Sequence, residues 1–586
     1  MTYQVRDFKI SSNFSMDCDV ATEFEKNEVR CSVLNFKYKK EDCPKEGRNI
    51  AIEFSFPILD MCGRWHPVCG GDRALKPDWF PGAESMASIS APIICFFNGK
   101  SENRHTIALS EIKQRVVMKY GVHEEDGTML CRTELELPKG SFPEGYQLKI
   151  WESTVDEPYW TTIANVGKWW EEDLKLDFMK VPDIARDTLY SFWYSQHQNV
   201  SAKSVEEESK LAAKFGFHSI IVDDGWQTDD NNRGYSFCGD WEPSTNKFPD
   251  FPAHVKKVQS MGLKYMMWFS VPYVGKKSKA WERFQDKILC YDDWQQAAVL
   301  DLRYPDVREY LKGIYRKAAT KWGIDGFKLD FIDEFYFRPE SPDFKEGMDF
   351  VDIQDALDIF LTEVMEELQS INPEVMIEFR QRYIGPQIRK YGNLLRVNDC
   401  PNSGISNRVG TIDLRLLSGE TAVHSDMLMW NKDEKPEDAA LQIISSVFST
   451  VQVSVDMSNI TEEMSKMLAY WMTFMKKHVQ LLQVSQIQPK EPENLYPEVS
   501  VVNETERIQV NYSRSRMVDL RMMPDTCYFI LGNKDDQVVF RMNGNEKLSW
   551  KVLDCMGQEV TSGCWEKEKW AELDVPTAGT VVICRL

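Results

Sequence analysis

Histidine is scarce in this chain of 586 residues, with 8 in all, and none stands in an H-x-H or H-E-x-x-H arrangement. A metal-dependent hydrolase needs several such ligands converging on one ion, so no metal and no other cofactor is expected. Positive charge is short as well: 70 Lys and Arg face 91 Asp and Glu, a formal net charge of -21. A field of that sign repels phosphate backbones and anionic membrane surfaces, which argues against nucleic acid and membranes as partners. No run approaches the ~18 uninterrupted apolar residues of a membrane span. Residues 1–14 lack the basic start and apolar stretch of a secretory leader. The 14 cysteines include no C-x-x-C, and the nearest pair, Cys62 and Cys69, has six residues between. That spacing excludes a zinc ribbon or a thioredoxin-like motif. A cytoplasmic protein with reduced thiols is the expectation, with a homo-oligomer left open.

Tryptophan is plentiful, at 18 residues. Its π-face meets the C–H side of a pyranose as readily as it packs a core, so composition raises a carbohydrate ligand without settling it. Three textures follow one another. Residues 1–175 carry short alternating runs (33–38, 50–56, 133–137) parted by turn residues, the pattern of a β-sandwich. Residues 489–586 repeat it at 527–531, 538–542 and 580–584. Between them, residues 176–488 alternate short apolar runs with helical spacing. Candidate strands lie at 189–194, 219–223, 263–269, 326–330, 375–380, 394–398, 422–426 and 451–456. Ser204 with Glu207 reads as a capping box. Pro305 suits a first helical position, with Val307, Leu311, Ile314, Tyr315, Ala318 and Trp322 following at helical spacing. Eight near-continuous apolar strands alternating with helices predict a (β/α)8 TIM barrel, flanked by an N-terminal β-sandwich and a C-terminal antiparallel β domain. An open doubly wound sheet would carry a glycine-rich phosphate loop after its first strand, and there is none.

Barrel chemistry sits where strands end. Those ends carry Trp193, Asp223, Asp224, Trp268, Lys328, Asp330, Arg380, Asp399, His424, Asp426 and Asp456. A single Asp there could cap the next helix; several beside Trp point to a site. Glycoside hydrolysis uses paired carboxyls, about 5–5.5 Å apart for a covalent glycosyl-enzyme and about 6.5–9.5 Å for inversion. Asp330 closes the fourth strand and Asp399 follows the sixth.

The runs IleValAspAspGlyTrpGln (221–227), LeuAspLeuArgTyrProAspValArgGluTyr (300–310) and GlyIleAspGlyPheLysLeuAspPhe (323–331) resemble glycoside hydrolase family 36. That family holds α-galactosidases, α-N-acetylgalactosaminidases and raffinose-synthase-like transferases, and the resemblance covers roughly residues 185 to 480. It implies a retaining, exo-acting α-glycosidase, α-galactosidase first, working on an oligosaccharide or glycoside. By it, Asp330 is the nucleophile, Lys328 lies beside the sugar, and Asp399 is the acid/base. Asp223 and Asp224 look like the family's pair of hydroxyl acceptors, Trp193 and Trp268 line the pocket, and Arg408 stands where an Arg often accompanies the acid/base. His424 and Asp426 complete the candidates for substrate contact. Lys328 and neighbouring Arg side chains are expected to hold Asp330 ionised, and burial to keep a proton on Asp399.

Two loops depart from the family. After strand three the run is TrpPheSerValProTyrValGly (268–275). After strand five GluPheArgGlnArgTyrIleGlyPro (378–386) puts Arg380 and Arg382 where the family carries glycines. The glycone is therefore open. Trp65, in a loop-like stretch near Trp79, is a candidate to reach over the barrel mouth, as a loop of this domain does in related enzymes. Three rivals stand beside this reading. One is a metal-dependent hydrolase using His424 and Asp426, another a transglycosylase, and the third a sugar-binding protein on a decayed barrel.

Overall fold

The computed structural model describes residues 2–39, 48–137 and 145–586. Their chain falls into two compact units with interleaved segments: Met1–Lys180, Asp224–Pro252 and Met267–Leu395 in one, Val181–Asp223, Ala253–Met266 and Arg396–Leu586 in the other. Among the described residues no helix is long and apolar enough to cross a membrane.

The N-terminal region forms two six-stranded sheets. Alternation along strands such as Arg48–Pro57 and Thr128–Leu137 sends every second side chain inward. Ile10, Ile52, Val116, Tyr120 and Met129 from one sheet meet Leu34, Phe36, Ile94, Ile107 and Ile150 from the other in a single core. At the other end of the sequence, a seven-stranded and a three-stranded sheet close on Phe529, Phe540, Leu548, Val552, Trp565, Val581 and Ile583.

All eight expected barrel strands are present: Leu189–Ser191, Ser219–Val222, Lys264–Ser270, Gly326–Asp330, Met376–Arg380, Leu394–Arg396, Ala422–His424 and Gln452–Val453. They make one sheet in the order seventh, sixth, fifth, fourth, third, second, first, eighth. The fourth and fifth strands pair in parallel, and the first pairs in parallel with both the second and the eighth. The remaining seam is stitched by parallel bridges His424–Thr450 and Leu428–Val453. There Thr450 N–H donates to the Val423 carbonyl at 2.8 Å and Ser425 N–H to the Thr450 carbonyl at 2.9 Å. This is the barrel that strand count and alternation predict. Several strands stop short of their apolar runs, the first because Trp193–Gln196 turns into a helix.

Pro305 opens the helix Pro305–Lys317 as expected. The capping box is displaced: Ser201 is the cap of Ala202–Phe215 and Ser204 is its reciprocal partner, not Ser204 with Glu207. A serine pair satisfies the same two backbone donors that a Ser–Glu box would.

Insertions and contacts around strands three and five position the site. After strand three, Tyr273–Gly275, Ile288–Asp292 and Ala297–Leu300 form a small antiparallel sheet. After strand five, residues 381–385 run against the N-terminal region, where Ser90 N–H donates to the Arg382 carbonyl at 2.7 Å. At Gly385 a Cβ would press into the Ser90 carbonyl oxygen, backbone that cannot yield. We expect Gly385→Ala to cost about 1–3 kcal/mol through overpacking, read as a fall in urea midpoint. A variant with unchanged midpoint would mean this junction is not tight.

Candidate active site

Asp330 ends the fourth strand, and Lys328, two residues earlier, shares its face because side chains alternate along a strand. Both are buried. A buried carboxylate keeps its charge only with partners to replace water, and Asp330 has them on both oxygens. Oδ1 accepts from Arg380 Nε at 2.6 Å and from the Tyr383 hydroxyl at 2.6 Å. It also accepts from the Phe331 N–H at 2.9 Å. Oδ2 accepts from the Trp268 indole at 3.0 Å. Burial alone pushes this carboxyl up; the charges of Arg380 and Lys328 with the Tyr383 and Trp268 hydrogen bonds outweigh it and leave it well below the ordinary carboxylate range.

The geometry comes from named backbone features. Phe331 adopts a left-handed φ of 64°, which turns its N–H back onto Asp330; for a non-glycine residue that conformation is strained. Arg380 lies 5.0 Å from the Phe331 ring centroid and 5.4 Å from that of Tyr383, so both aromatic faces brace its guanidinium. In the Asp-Asp-Gly-Trp run, Gly225 sits at φ 110°, open to glycine and few others. The bend buries Trp226, whose indole donates to the Trp268 carbonyl at 3.0 Å and so anchors the end of strand three. Asp224 is buried and accepts from Gln227 Nε2 at 2.7 Å; no helix begins after it for this residue to cap. Arg382 reaches Asp333 at 3.2 Å and stays 53% exposed. Asp333 is pushed up by burial, against the pull of Arg380 and Arg382.

A second cluster gathers on Asp426, fully buried. Arg396 Nη1 donates to it at 2.6 Å, Cys400 N–H at 2.7 Å and the Tyr194 hydroxyl at 3.0 Å. Burial still leaves its carboxyl raised, with Arg396 opposing and Asp399 adding to the shift. Arg396 spends its other end on Asp399 at 2.9 Å. Asp399 itself is 53% exposed, so the burial expected to hold its proton is absent, and a guanidinium stands beside it instead. Asp223, at the end of strand two, is buried. Trp193 opens the short helix after strand one and stacks on His197, centroids 3.8 Å apart.

Three sequence candidates are placed elsewhere. Arg408 turns toward the C-terminal region, donating to the Leu495 carbonyl at 3.0 Å and lying 4.4 Å from the Tyr512 ring centroid. Its helical position, one residue past Asn407, aims it off the face on which Asn407 Oδ1 accepts from the Asp426 N–H. His424 has both ring nitrogens engaged inside the barrel, Nε2 with the Ala185 carbonyl and Nδ1 with Gln452; it braces strands. Trp65 is not in an open loop: it lies on the strand Gly63–Trp65, paired with Ile93–Phe97, and is fully buried. The nearby backbone does reach the site, since Gln381 Nε2 donates to the Pro67 carbonyl at 3.4 Å. Missed from the sequence were Tyr383, Tyr194, Tyr235 and Arg396. Only Arg396 left a signal, a basic residue three positions before Asp399.

Among the described residues no group of three or more His, Cys, Asp and Glu side chains is placed to hold a metal ion. Residues 178–382 match the family model described as Melibiase. Alpha-galactosidase 1 of Pediococcus pentosaceus is 25% identical over 187 residues, 30% of this chain and 24% of that protein. A probable alpha-galactosidase C of Aspergillus terreus is 24% identical over 142 residues, 22% of this chain and 19% of that protein. The chain thus aligns with about a quarter or less of the length of these curated relatives. The fold is that of GH36 alpha-galactosidase AgaA from Geobacillus stearothermophilus, with TM-score 0.66 and 14% identity across 99% of this chain and 84% of that one. An AgaA variant in complex with raffinose gives TM-score 0.62 at 14% identity, covering 99% and 83%.

The contrast between Arg396 and Asp399 is measurable. Arg396→Met strands the buried Asp426 carboxylate and should cost about 3–5 kcal/mol, a large drop in urea midpoint at neutral pH. Asp399→Asn breaks an exposed pair and should cost less than about 1 kcal/mol. Equal losses would contradict the assignment of Arg396 as the buried keystone of this cluster.

Proposed function

We propose that this chain, with its Melibiase-type barrel, is a retaining, exo-acting α-galactosidase that removes terminal α-linked galactose-type sugars from oligosaccharides. The observation that carries the reading is the buried, ionised Asp330, held by Arg380, Lys328, Tyr383 and Trp268. A nucleophilic carboxylate must be charged before substrate arrives, and this one is. Oδ1 is tied by three donors and Oδ2 by one, so Oδ2 is the attacking oxygen.

In the first step Oδ2 bonds to the anomeric carbon as the bond to the leaving oxygen breaks, and Asp399 gives that oxygen its proton. The product is a glycosyl ester on Asp330. Asp399, now ionised, takes a proton from water, which cleaves the ester and restores the original anomeric configuration. Asp399, 53% exposed, is open to solvent for the exchange of that proton. Asp223 and Asp224 accept hydrogen bonds from the ring hydroxyls, which penalises an epimer that leaves them unpaired. Trp193 and Trp268 bound the sugar's apolar face.

A panel of aryl α-glycosides (galactose, N-acetylgalactosamine, glucose, xylose) tests the glycone, and α-galactoside should be turned over best. Asp330→Ala should lose about 10³-fold or more in kcat and recover part of it with azide, forming the β-glycosyl azide. Proton NMR of the wild-type reaction should detect the α-anomer first; the β-anomer first, or full activity in Asp330→Ala, overturns the reading.

The pH dependence has a definite sign. Asp330 works as the anion, so the acid limb of kcat/KM reports its protonation, provided Asp399 is governed separately. Tyr383→Phe removes a donor that lowers this carboxyl, so its limb should move to higher pH. A limb unmoved, or moved down, would place the titration on another group.

A further inference from the structure

We propose that Trp294 is a stacking platform for the sugar ring on the leaving-group side of the scissile bond, the platform that selects oligosaccharide substrates. The inference rests on the α-galactosidase reading and adds to it a residue outside the motifs that carry the resemblance.

Trp294 is the most exposed tryptophan of the chain's exposed large apolar residues, at 88%. It stands at the tip of the hairpin formed by Ile288–Asp292 and Ala297–Leu300. The turn is built to hold it there. Asp292 Oδ1 accepts from the Trp294 N–H at 2.9 Å and from the Gln295 N–H at 3.1 Å, while Gln296 Nε2 donates to the Asp293 carbonyl at 2.6 Å. A large aromatic surface fixed in water by a rigid turn gains nothing for folding, since its hydrophobic stabilisation is left unused.

The turn is joined to the nucleophile by a short chain of contacts. Gln295, the next residue, offers its carbonyl to the Tyr235 N–H at 3.1 Å. The Tyr235 ring stacks on Trp268 at 5.9 Å and on Tyr273 at 5.2 Å, and meets Phe331 edge-on at 5.1 Å. Trp268 donates to Asp330 Oδ2, the oxygen assigned to attack. The turn that carries the exposed indole is thus bonded, through the Gln295 carbonyl, to the aromatic wall of the candidate site. Trp79 and Trp570 are also exposed; Trp570 carries Arg541 over its ring at 5.4 Å, and Trp79 lies in the N-terminal region.

The local chemistry suits a pyranose. Its C–H face packs on an indole, and its hydroxyls seek acceptors. Asp293, exposed and adjacent to Trp294, supplies a carboxylate at the edge of that face. An apolar protein partner would want more apolar surface than one ring bordered by carboxylates.

The test compares two donors: an α-galactosyl disaccharide whose leaving group is a pyranose, and α-galactosyl fluoride, whose leaving group has no ring. Trp294→Ala should lose about tenfold in kcat/KM on the disaccharide, in line with the worth of one stacked ring. The fluoride should change less than about twofold, and Trp294→Phe should fall between. Equal losses on both donors, or none on either, overturn the proposal. So does a change in molar mass of Trp294→Ala by light scattering, which would assign the ring to contact between copies of the chain. Wild-type turnover of the fluoride is the internal control: its absence would sink the α-galactosidase reading and this inference with it, whereas its presence isolates any failure to Trp294.

Discussion

A carboxylate buried away from water stays charged only if its surroundings supply what water did. Around Asp330 that demand recruits much of one unit. Strand three brings the Trp268 indole, strand four brings Lys328, and strand five with its following loop brings Arg380 and Tyr383. Each must arrive within hydrogen-bond reach, and each is held there by something further out. Trp226 fixes the end of strand three through the Trp268 carbonyl. Ser90 and Pro67 of the N-terminal region fix the loop after strand five. Loops of the N-terminal region therefore help to hold the stretch after strand five that carries Tyr383.

The cluster on Asp426 solves the same problem differently. Arg396 divides its guanidinium between a fully buried carboxylate and an exposed one. Asp426 remains raised despite three donors, because burial dominates and Asp399 adds a like charge. The arrangement sets a buried positive group beside the half-exposed Asp399, so one guanidinium ties a surface carboxylate to a buried one.

Strands were legible because their physics is local. A parallel strand buried on both faces reads as an unbroken apolar run, and each of the eight runs picked out in 189–456 became a barrel strand. Acidic residues at their ends were equally visible. Side-chain direction was not. Arg408 lies in the right stretch but on the wrong side of its helix, and His424 sits inside a seam whose closure involves Thr450 and Gln452, residues far along the chain. Trp65 looked like a loop residue because a three-residue strand carries too little pattern to register. Tyr383 and Tyr235 lie in irregular loops, where no periodicity tells which way a ring points; only tertiary packing does.

Arg380 is where the sequence after strand five matters physically. It puts a guanidinium on the buried Asp330 carboxylate itself, at 2.6 Å. A charge-assisted bond to a carboxylate has two opposed effects: it favours the anion, and it withdraws electron density from the oxygen that accepts it. The geometry divides these effects between the two oxygens. Oδ1 carries Arg380, Tyr383 and the Phe331 N–H, whereas Oδ2 carries only the neutral Trp268 indole. Ionisation belongs to the carboxyl as a whole, so the donors on Oδ1 lower its proton affinity without standing in the path of Oδ2. The same loop that makes the glycone hard to read from sequence thus leaves Oδ2 as the oxygen with fewer donors.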